Sequence, residues 1–173
     1  SQAKTEDLRR DGALEKLLLV EHEKCTACRI CELACSARQC GVINPAKARI
    51  TVAIFLEDNF FFPVTCQHCE EPLCRDVCPT GAISKNPETG AVVIEESKCI
   101  GCRMCSAACP FGAISYCSPD GKAVKCDLCG GDPECVKFCP WDAIKFVEAD
   151  SAMVRKRMEI GDKLKRALQE VKI

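Results

Sequence analysis

The chain has 173 residues and a formal net charge of −1 at pH 7, with 24 lysines and arginines against 25 aspartates and glutamates. Because surfaces that bind nucleic acids or anionic membranes carry an excess of positive charge, this balance argues against both kinds of partner. Cysteine is common at 18 residues and aromatic side chains make up only 5% of the chain, so few large side chains are left to build a core.

The N-terminal segment does not have the pattern of an export signal. Arg9 and Arg10 resemble the start of a twin-arginine signal, but Asp11 follows and the apolar run 17–20 is too short for the hydrophobic region of such a signal. No apolar stretch approaches the length of about eighteen residues that a spanning helix needs. We therefore expect no membrane span.

Sixteen of the 18 cysteines fall into four motifs that each end in a Cys-x3-Cys step. Motif 1 contains Cys25, Cys28, Cys31 and Cys35; motif 2 contains Cys66, Cys69, Cys74 and Cys78; motif 3 contains Cys99, Cys102, Cys105 and Cys109; motif 4 contains Cys126, Cys129, Cys135 and Cys139. Cys40 and Cys117 lie outside the motifs, and we expect them to be buried small apolar residues or free thiols.

The spacing within the motifs is typical of [4Fe-4S] clusters, because such a cluster needs four thiolates presented around one compact face. A disulfide framework has no need of this pattern. A zinc-binding interaction module is the alternative from another class of protein, but zinc ribbons use two separated Cys-x2-Cys pairs and do not require the closing step. We predict four [4Fe-4S] clusters and, because their chemistry is sensitive to oxygen, a cytoplasmic location.

Three motifs continue with one shared pattern after their last cysteine. It reads Cys-Pro-x-Gly-Ala-Ile at 78–83 and 109–114, and Cys-Pro-Trp-Asp-Ala-Ile at 139–144. Proline there ends the helical turn that carries the cysteine. Motif 1 has no proline after Cys35, so we predict that its chain continues as a helix or an insertion.

The segments between the motifs have the composition of strands and turns. Turn-forming residues at 86–90 and 118–121 predict two hairpins. Strands are predicted at 18–20, 49–55, 92–94 and 143–147. Each cysteine-rich unit then consists of a strand, a ligand loop, a short helix and a strand. We expect the phenylalanines at 60–62 to pack inside the protein or to contact a partner subunit.

The C-terminal tail contains no cysteine after residue 149 and has apolar residues at helical spacing. These are Val154, Met158, Gly161, Leu164, Leu168 and Val171. The pattern predicts one amphipathic helix, which packs on its own domain or docks onto another chain.

The motifs are expected to act in pairs. In bacterial two-cluster ferredoxins the first three cysteines of a motif bind one cluster and the fourth binds the other. Motifs 2 and 3 are joined by a short hairpin and share the sequence that follows them, which favours pairing these two and leaves motif 1 with motif 4. The competing layout pairs motif 1 with motif 2 and motif 3 with motif 4.

The nested layout defines four sets of ligands. Cluster A is assigned to Cys25, Cys28, Cys31 and Cys139; cluster B to Cys35, Cys126, Cys129 and Cys135; cluster C to Cys66, Cys69, Cys74 and Cys109; cluster D to Cys78, Cys99, Cys102 and Cys105.

The predicted fold class is α+β, with two pseudo-symmetric ferredoxin-like modules of two [4Fe-4S] clusters each and a helical C-terminal tail. The outer module comprises 18–55 and 118–147, and the inner module comprises 56–117. An N-terminal arm covers 1–17 and the tail covers 148–173.

These motifs, including the wider gaps between Cys69 and Cys74 and between Cys129 and Cys135, resemble the four-cluster ferredoxin-type iron-sulfur subunits of the DMSO reductase and formate dehydrogenase group. Relatives of this group serve hydrogenases and tungsten aldehyde oxidoreductase complexes. The resemblance covers about 18–147 and implies the nested pairing. Some members replace a ligand cysteine; none is replaced here, which implies four clusters.

The resemblance also implies a role as an electron-transfer subunit that is not catalytic alone. A tungsten- or molybdenum-pterin oxidoreductase subunit is the favoured catalytic partner, a hydrogenase is the second candidate, and a flavoprotein or ferredoxin would be the further redox partner. Additional copies of the same subunit could extend the electron path. A free polyferredoxin is the alternative without an obligate partner. The sequence contains no acid-base pair, nucleophile or phosphate loop that would predict chemistry on a substrate.

Several basic residues flank the ligand cysteines, namely Arg29, Arg75, Arg103 and Lys137, with Lys24, Lys98 and Lys125 directly before the first cysteine of three motifs. Positive charge near an anionic cluster favours its reduced state, whereas solvated surface charge is the alternative. We expect His22 and His68 to be hydrogen-bonding neighbours of the ligands, and Trp141 to shield a cluster.

The first prediction concerns bound metal. Anaerobically purified protein should be brown and show paramagnetic resonance signals at low temperature after reduction with dithionite, because reduced [4Fe-4S] clusters are paramagnetic. Metal analysis of the co-purified complex should find about sixteen irons per chain, as four cubanes require; tungsten, molybdenum or nickel would identify the catalytic partner. Colourless protein that contains zinc would contradict the assignment.

Overall fold

The computed structural model describes residues 16–116, 120–148 and 161. Cys117, the arm up to residue 15 and all of the predicted tail helix except Gly161 lie outside the described residues. The strands are β1 (Lys16–Val20), β2 (Thr51–Phe55), β3 (Phe60–Val64), β4 (Ile83–Lys85), β5 (Val92–Ile94) and β6 (Ile144–Glu148). The helices are α1 (Ile30–Cys40), α2 (Leu73–Asp76), α3 (Met104–Ala108) and α4 (Glu134–Lys137). The fold is therefore a small mixture of helices and strands, as the sequence predicts.

The last cysteine of motif 1, Cys35, lies within α1, which is eleven residues long. With no proline after Cys35, the chain remains helical until Gly41, whose left-handed φ of 66° ends the helix. Glu32 anchors this helix, because its buried carboxylate accepts the backbone N–H of Val52 at 2.7 Å and pairs with Arg29. The prediction of a continuing helix is confirmed.

Strands β1 and β6 pair antiparallel and bring the two ends of the described chain together. The register runs from Lys16 opposite Glu148 to Val20 opposite Ile144. β1 leads into motif 1 and β6 follows motif 4, so this ladder places the first and last motifs side by side. Helices α1 and α4 also pack against each other.

Strands β4 and β5 form the predicted hairpin between motifs 2 and 3. The side chain of Asn86 closes its turn by accepting the N–H of Glu88 at 2.8 Å. A single bridge between Ser115 and Val124 flanks the second predicted turn. Because α2 packs on α3, motifs 2 and 3 lie next to each other.

Strands β2 and β3 form a third hairpin between motifs 1 and 2. Phe62 is buried against Val20, and the ring of Phe60 lies 5.1 Å from that of His22 and 6.1 Å from that of Phe62. Two of the three phenylalanines thus pack within the molecule. Within the described residues, no helix has the length and apolar character needed to cross a bilayer.

The buried apolar residues form two main clusters. One surrounds motifs 1 and 4 and includes Leu18, Ile50 and Leu128, and the other surrounds motifs 2 and 3 and includes Ile83 and Val92. Ligand cysteines belong to both clusters. Because each apolar cluster is small, the cysteines and whatever they bind form part of the interior.

The second prediction tests the β1–β6 ladder. Leu19 is 1% exposed in β1 and Leu56 is 80% exposed in the β2–β3 turn. Leu19→Ala should lower the free energy of unfolding by about 2–5 kcal/mol, because it removes buried methyl groups from a small core. Leu56→Ala should change it by less than about 0.5 kcal/mol. Denaturant unfolding followed anaerobically by circular dichroism measures both, and equal effects would contradict the assigned core.

Candidate iron-sulfur sites

The structure gathers cysteines of different motifs around three cavities. One cavity is lined by Cys25, Cys28, Cys31 and Cys139, together with Trp141. A second is lined by Cys35, Cys126, Cys129 and Cys135, and a third by Cys78, Cys99, Cys102 and Cys105. Each contains about 300–330 Å³ of space that is partly open to solvent. These are three of the four cysteine sets that the sequence predicts.

The fourth set is brought together around Cys74. Burial raises the pKa of the Cys74 thiol, and Cys66, Cys109 and Cys69 lie close enough to raise it further through charge repulsion. The four groupings are those of the nested layout; a sequential layout would place Cys139 beside the cysteines of motif 3 instead. The role of these sixteen cysteines as ligands is a prediction that this proximity favours.

The ligand loops share one backbone conformation. The residue two positions after the first cysteine has a left-handed φ in every motif: 56° at Ala27, 45° at His68, 70° at Gly101 and 58° at Leu128. The N–H groups of His68 and Leu128 donate to the sulfur of the first cysteine of their own motif, at 3.4 and 3.5 Å. The conformation costs about 1–2 kcal/mol for a residue with a side chain. In return, it turns backbone donors toward sulfur.

The turn after the last cysteine repeats in three motifs. Gly81, Gly112 and Asp142 have φ values of 62°, 60° and 50° at the same place in the turn. Each N–H bonds to the carbonyl of the last cysteine of its motif, at 3.3–3.4 Å. Motif 4 therefore has Asp142 where motifs 2 and 3 have glycine. Aspartate tolerates this left-handed backbone conformation better than most residues do.

This turn also directs a donor to the last cysteine. The N–H of Ala143 donates to Sγ of Cys139 at 3.3 Å. At Cys78 burial raises the pKa, but hydrogen bonds from Thr80 and from the backbone of Ala82 and Ile83 outweigh it and lower the pKa. Such hydrogen bonds stabilise the thiolate form that a cluster requires.

Motif 1 has no such turn, and its donor comes from another part of the chain. The N–H of Arg49 donates to Sγ of Cys35 at 3.2 Å. The guanidinium of Arg49 pairs with Asp127 at 3.0 Å, and Gln39 donates to the same carboxylate at 2.9 Å. Motif 4 is thereby tied to helix α1 on one side of the cavity that contains Cys35.

Burial dominates the electrostatics of the interior thiols. It raises the pKa of Cys31 and of Cys126 to about 12, and it also raises the pKa of Cys135. Without a bound cluster these groups are therefore protonated at neutral pH. Because a cluster binds thiolates, loading must release protons.

The influence of one thiol on the pKa of another shows which cysteine sets are neighbours. After burial, neighbouring sulfurs raise the pKa of Cys135, and Cys31 of the first cavity is one of them. In the same way, Cys66 of the fourth set acts on Cys126 of the second. The sets for clusters A and B, and those for clusters B and C, are therefore neighbours, and helices α2 and α3 join the sets for C and D.

Most of the basic residues near the motifs have local partners. Lys24, Lys98, Arg29, Arg75 and Lys137 form ion pairs with carboxylates one to five residues away, and the guanidinium of Arg103 lies 5.2 Å from the centre of the Tyr116 ring. Only Lys125 among the seven is buried. For the other six, the alternative of solvated or paired surface charge is the better interpretation.

The remaining predicted neighbours differ from one another. His68 accepts the N–H of Val92 at 3.0 Å and lies 3.8 Å from Sγ of Cys66, as expected of a hydrogen-bonding neighbour. His22 instead packs against Phe60. Cys40 is an exposed free thiol, which is the second of the two alternatives expected for it. It lies at the end of α1, where the helix meets solvent.

Two buried polar groups indicate that the sites suit an anionic cluster. Nζ of Lys125 has no hydrogen-bond partner among the described residues, and Lys125 is 4% exposed. The hydroxyl of Thr65, which is 1% exposed, lies beside Cys126 and lowers the pKa of that thiol. Each directly precedes the first cysteine of a motif. Leaving a buried ammonium without a negative partner is costly, and thiolate-bound clusters would supply that partner. In the described part of the chain, no group of three or more His, Cys, Asp or Glu side chains is arranged to hold a single metal ion.

The loops, turns and cysteine sets together define an iron-sulfur protein with a ferredoxin-like fold. A family model described as a 4Fe-4S dicluster domain matches residues 57–149. The chain belongs to this family. The assignment confirms the predicted class, an iron-sulfur electron-transfer subunit that is not catalytic alone.

Curated relatives agree with this assignment. The polyferredoxin-like subunit of an aliphatic sulfonate oxidoreductase from Pyrococcus furiosus is 42% identical over 121 residues, 70% of this chain and 69% of that protein. A subunit of the anaerobic dimethyl sulfoxide reductase from Escherichia coli K12 is 38% identical over 136 residues, 68% of this chain and 66% of that protein. The chain thus spans about two thirds of each relative.

A solved structure of the active site complex BamBC of benzoyl coenzyme A reductase with zinc contains a chain that is 28% identical to this one. The alignment covers 94% of this chain and 93% of that chain, with a TM-score of 0.49. Similarity at this level adds nothing to the family assignment.

The third prediction tests the backbone of the turn after the last cysteine. Apart from its chain neighbours, no atom lies within 4 Å of a Cβ added at Gly81. A substitution there therefore measures only the free-energy cost of holding a residue with a side chain at this positive φ. Gly81→Ala should lower the free energy of unfolding by about 1–2 kcal/mol. Gly81→Asp should cost less, because Asp142 adopts this conformation in motif 4. Anaerobic denaturant unfolding measures both; an equal cost for alanine and aspartate would contradict this account.

Proposed function

We propose that the protein carries four [4Fe-4S] clusters in the nested arrangement of clusters A to D. The observation that carries the proposal is the grouping of cysteines: motif 1 shares cavities with motif 4, and motif 2 lies with motif 3. Clusters A and B then belong to the outer module (18–55 and 118–147), and clusters C and D to the inner module (56–117). When bound, the clusters accept and release single electrons; the chain holds, insulates and tunes them.

Clusters A and D are proposed as the two ends of the electron path. Of the sixteen ligand cysteines, only Cys28 and Cys102 are exposed, and they belong to clusters A and D. Exposed apolar side chains lie beside both, Trp141 at the cavity of cluster A and Ile100 at that of cluster D. Such side chains suit contact with redox partners.

The partners are proposed from the family resemblance described above, and the relatives, which are subunits of oxidoreductase complexes, support a catalytic partner of that class. A catalytic subunit of an oxidoreductase complex would contact one end, with a tungsten- or molybdenum-pterin enzyme favoured and a hydrogenase second. A flavoprotein, a ferredoxin or a further copy of this chain would contact the other end. We place the complex in the cytoplasm, because a reducing compartment protects [4Fe-4S] clusters from oxidation. Glu148, the first residue of the predicted tail, belongs to strand β6. The rest of the tail, 149–173, is proposed as an amphipathic helix that packs on the protein or on a partner.

The fourth prediction separates the nested from the sequential layout by counting iron. Cys28→Ser combined with Cys139→Ser should remove only cluster A and leave about twelve irons per chain. Cys102→Ser combined with Cys139→Ser should remove clusters D and A and leave about eight. The sequential layout predicts the reverse, because Cys139 would then bind the same cluster as Cys102. Iron analysis and spin quantification of anaerobically purified protein measure both.

Cys40→Ser is the matched control. Cys40 is exposed and lies outside the motifs, so its loss should leave all sixteen irons in place. The proposal would fail if both double variants lost the same amount of iron, or if the wild-type chain held only about eight irons.

A further inference from the structure

The residue before the first cysteine is a lysine in three motifs. Lys24 in motif 1 and Lys98 in motif 3 each form an ion pair of 2.6 Å with a glutamate three residues earlier. In motif 4 the residue three positions before Lys125 is Lys122. Lys125 therefore lacks the local carboxylate that neutralises its two counterparts.

Lys125 is also the only one of the three that is buried. The side chains of Lys24 and Lys98 are 48% and 55% exposed, whereas Lys125 is 4% exposed. Its Nζ has no hydrogen-bond partner in the described part of the chain. A buried ammonium without a partner is costly, so the folded protein must supply negative charge that the described side chains do not provide.

The backbone around Lys125 fixes its position next to motifs 2 and 3. Val124 pairs with Ser115 through two hydrogen bonds, N to O at 2.7 and 3.0 Å. Ala123 is buried in the apolar cluster that includes Cys74 and Cys109. The segment that carries Lys125 is thus held against the segment that follows Cys109.

Two cysteines of the set for cluster C, Cys74 and Cys109, pack against the apolar cluster that contains Ala123. Burial raises the pKa of the Cys74 thiol, and the charge of Lys125 is the strongest influence that opposes this. Cys126, the next residue, instead lines the cavity assigned to cluster B. Lys125 therefore lies between the sets for clusters B and C, with its charge near the set for C.

We propose that Lys125 sets the potential of cluster C. Its buried ammonium is the counter-charge of the cluster bound by Cys66, Cys69, Cys74 and Cys109, and it favours the state of that centre that carries one more electron. The step is the arrival of one electron from a neighbouring centre or from a reductant, with no bond formed or broken and no proton moved at Lys125. A more positive potential in the interior of the path would retain the electron at cluster C. This inference rests on the proposed function.

The experiment is an anaerobic redox titration of the full chain, followed by paramagnetic resonance at low temperature. Lys125→Met keeps the length of the side chain and removes its charge. The equilibrium constant for reducing one centre should fall about tenfold, which equals about 59 mV for one electron. The signal that moves should be the one that Cys74→Ser alters, because Cys74 identifies cluster C.

Matched variants separate charge from structure. Lys125→Arg keeps the charge and should restore the potential, and Lys125→Gln should behave like Lys125→Met. Lys98→Met removes an exposed, paired lysine at the equivalent position. It should change the equilibrium constant for reduction of each centre by less than about twofold.

Iron content distinguishes failure of this inference from failure of the proposed function. If the wild-type chain holds four clusters and Lys125→Met leaves every potential within the range of Lys98→Met, the inference on Lys125 is wrong and the proposed function stands. Loss of one cluster from both Lys125→Met and Lys125→Arg would also overturn it, because shape and not charge would then matter. Loss of one cluster from Lys125→Met and Lys125→Gln, but not from Lys125→Arg, would support the role of Lys125 as a counter-charge.

Discussion

The meeting of cysteines from distant motifs is the constraint on which the rest of the fold depends. Cys139 lies beside Cys25, Cys28 and Cys31, and the chain can bring them together only if its two ends return to each other. The β1–β6 ladder does this, because it pairs residues as far apart as Lys16 and Glu148. Apolar burial alone would not specify this closure in a molecule with two small apolar clusters. We infer that long-range order comes largely from shared ligands, and that local hairpins fill the intervals between them.

The sequence predicted the local elements well because their chemistry is local. Turn residues at 86–90 predicted the β4–β5 hairpin, and the missing proline after Cys35 predicted that α1 continues. The four motifs and the class of protein also followed from spacing, since a [4Fe-4S] cluster imposes its geometry on consecutive residues. The nested grouping was one of two layouts that the residues allowed, because pairing between motifs depends on tertiary structure.

What the sequence could not predict is the environment of individual charges. Seven basic residues near the motifs looked equivalent, yet six are paired or stacked at the surface and only Lys125 is buried. The glutamates three residues before Lys24 and Lys98 were a usable signal, because lysine and glutamate at that spacing pair readily in a turn. No such local signal marks the burial of Lys125, because its segment packs against the apolar cluster around motifs 2 and 3, which is a tertiary contact. The donor to Cys35 was equally hidden, since Arg49 is fourteen residues away.

Two buried polar groups, the Thr65 hydroxyl and the Lys125 ammonium, lie where the two halves of the cysteine arrangement meet. Thr65 and Lys125 precede Cys66 and Cys126, and these two cysteines are the contact between the sets for clusters B and C. Burial of the Lys125 ammonium without a partner destabilises the chain unless negative charge arrives there. If clusters supply that charge, their insertion removes this penalty at the contact. Cluster insertion would then stabilise the contact between the cysteine sets for clusters B and C as well as each set itself. The electron path through clusters B and C and the rigid contact between the two halves would therefore have the same physical cause.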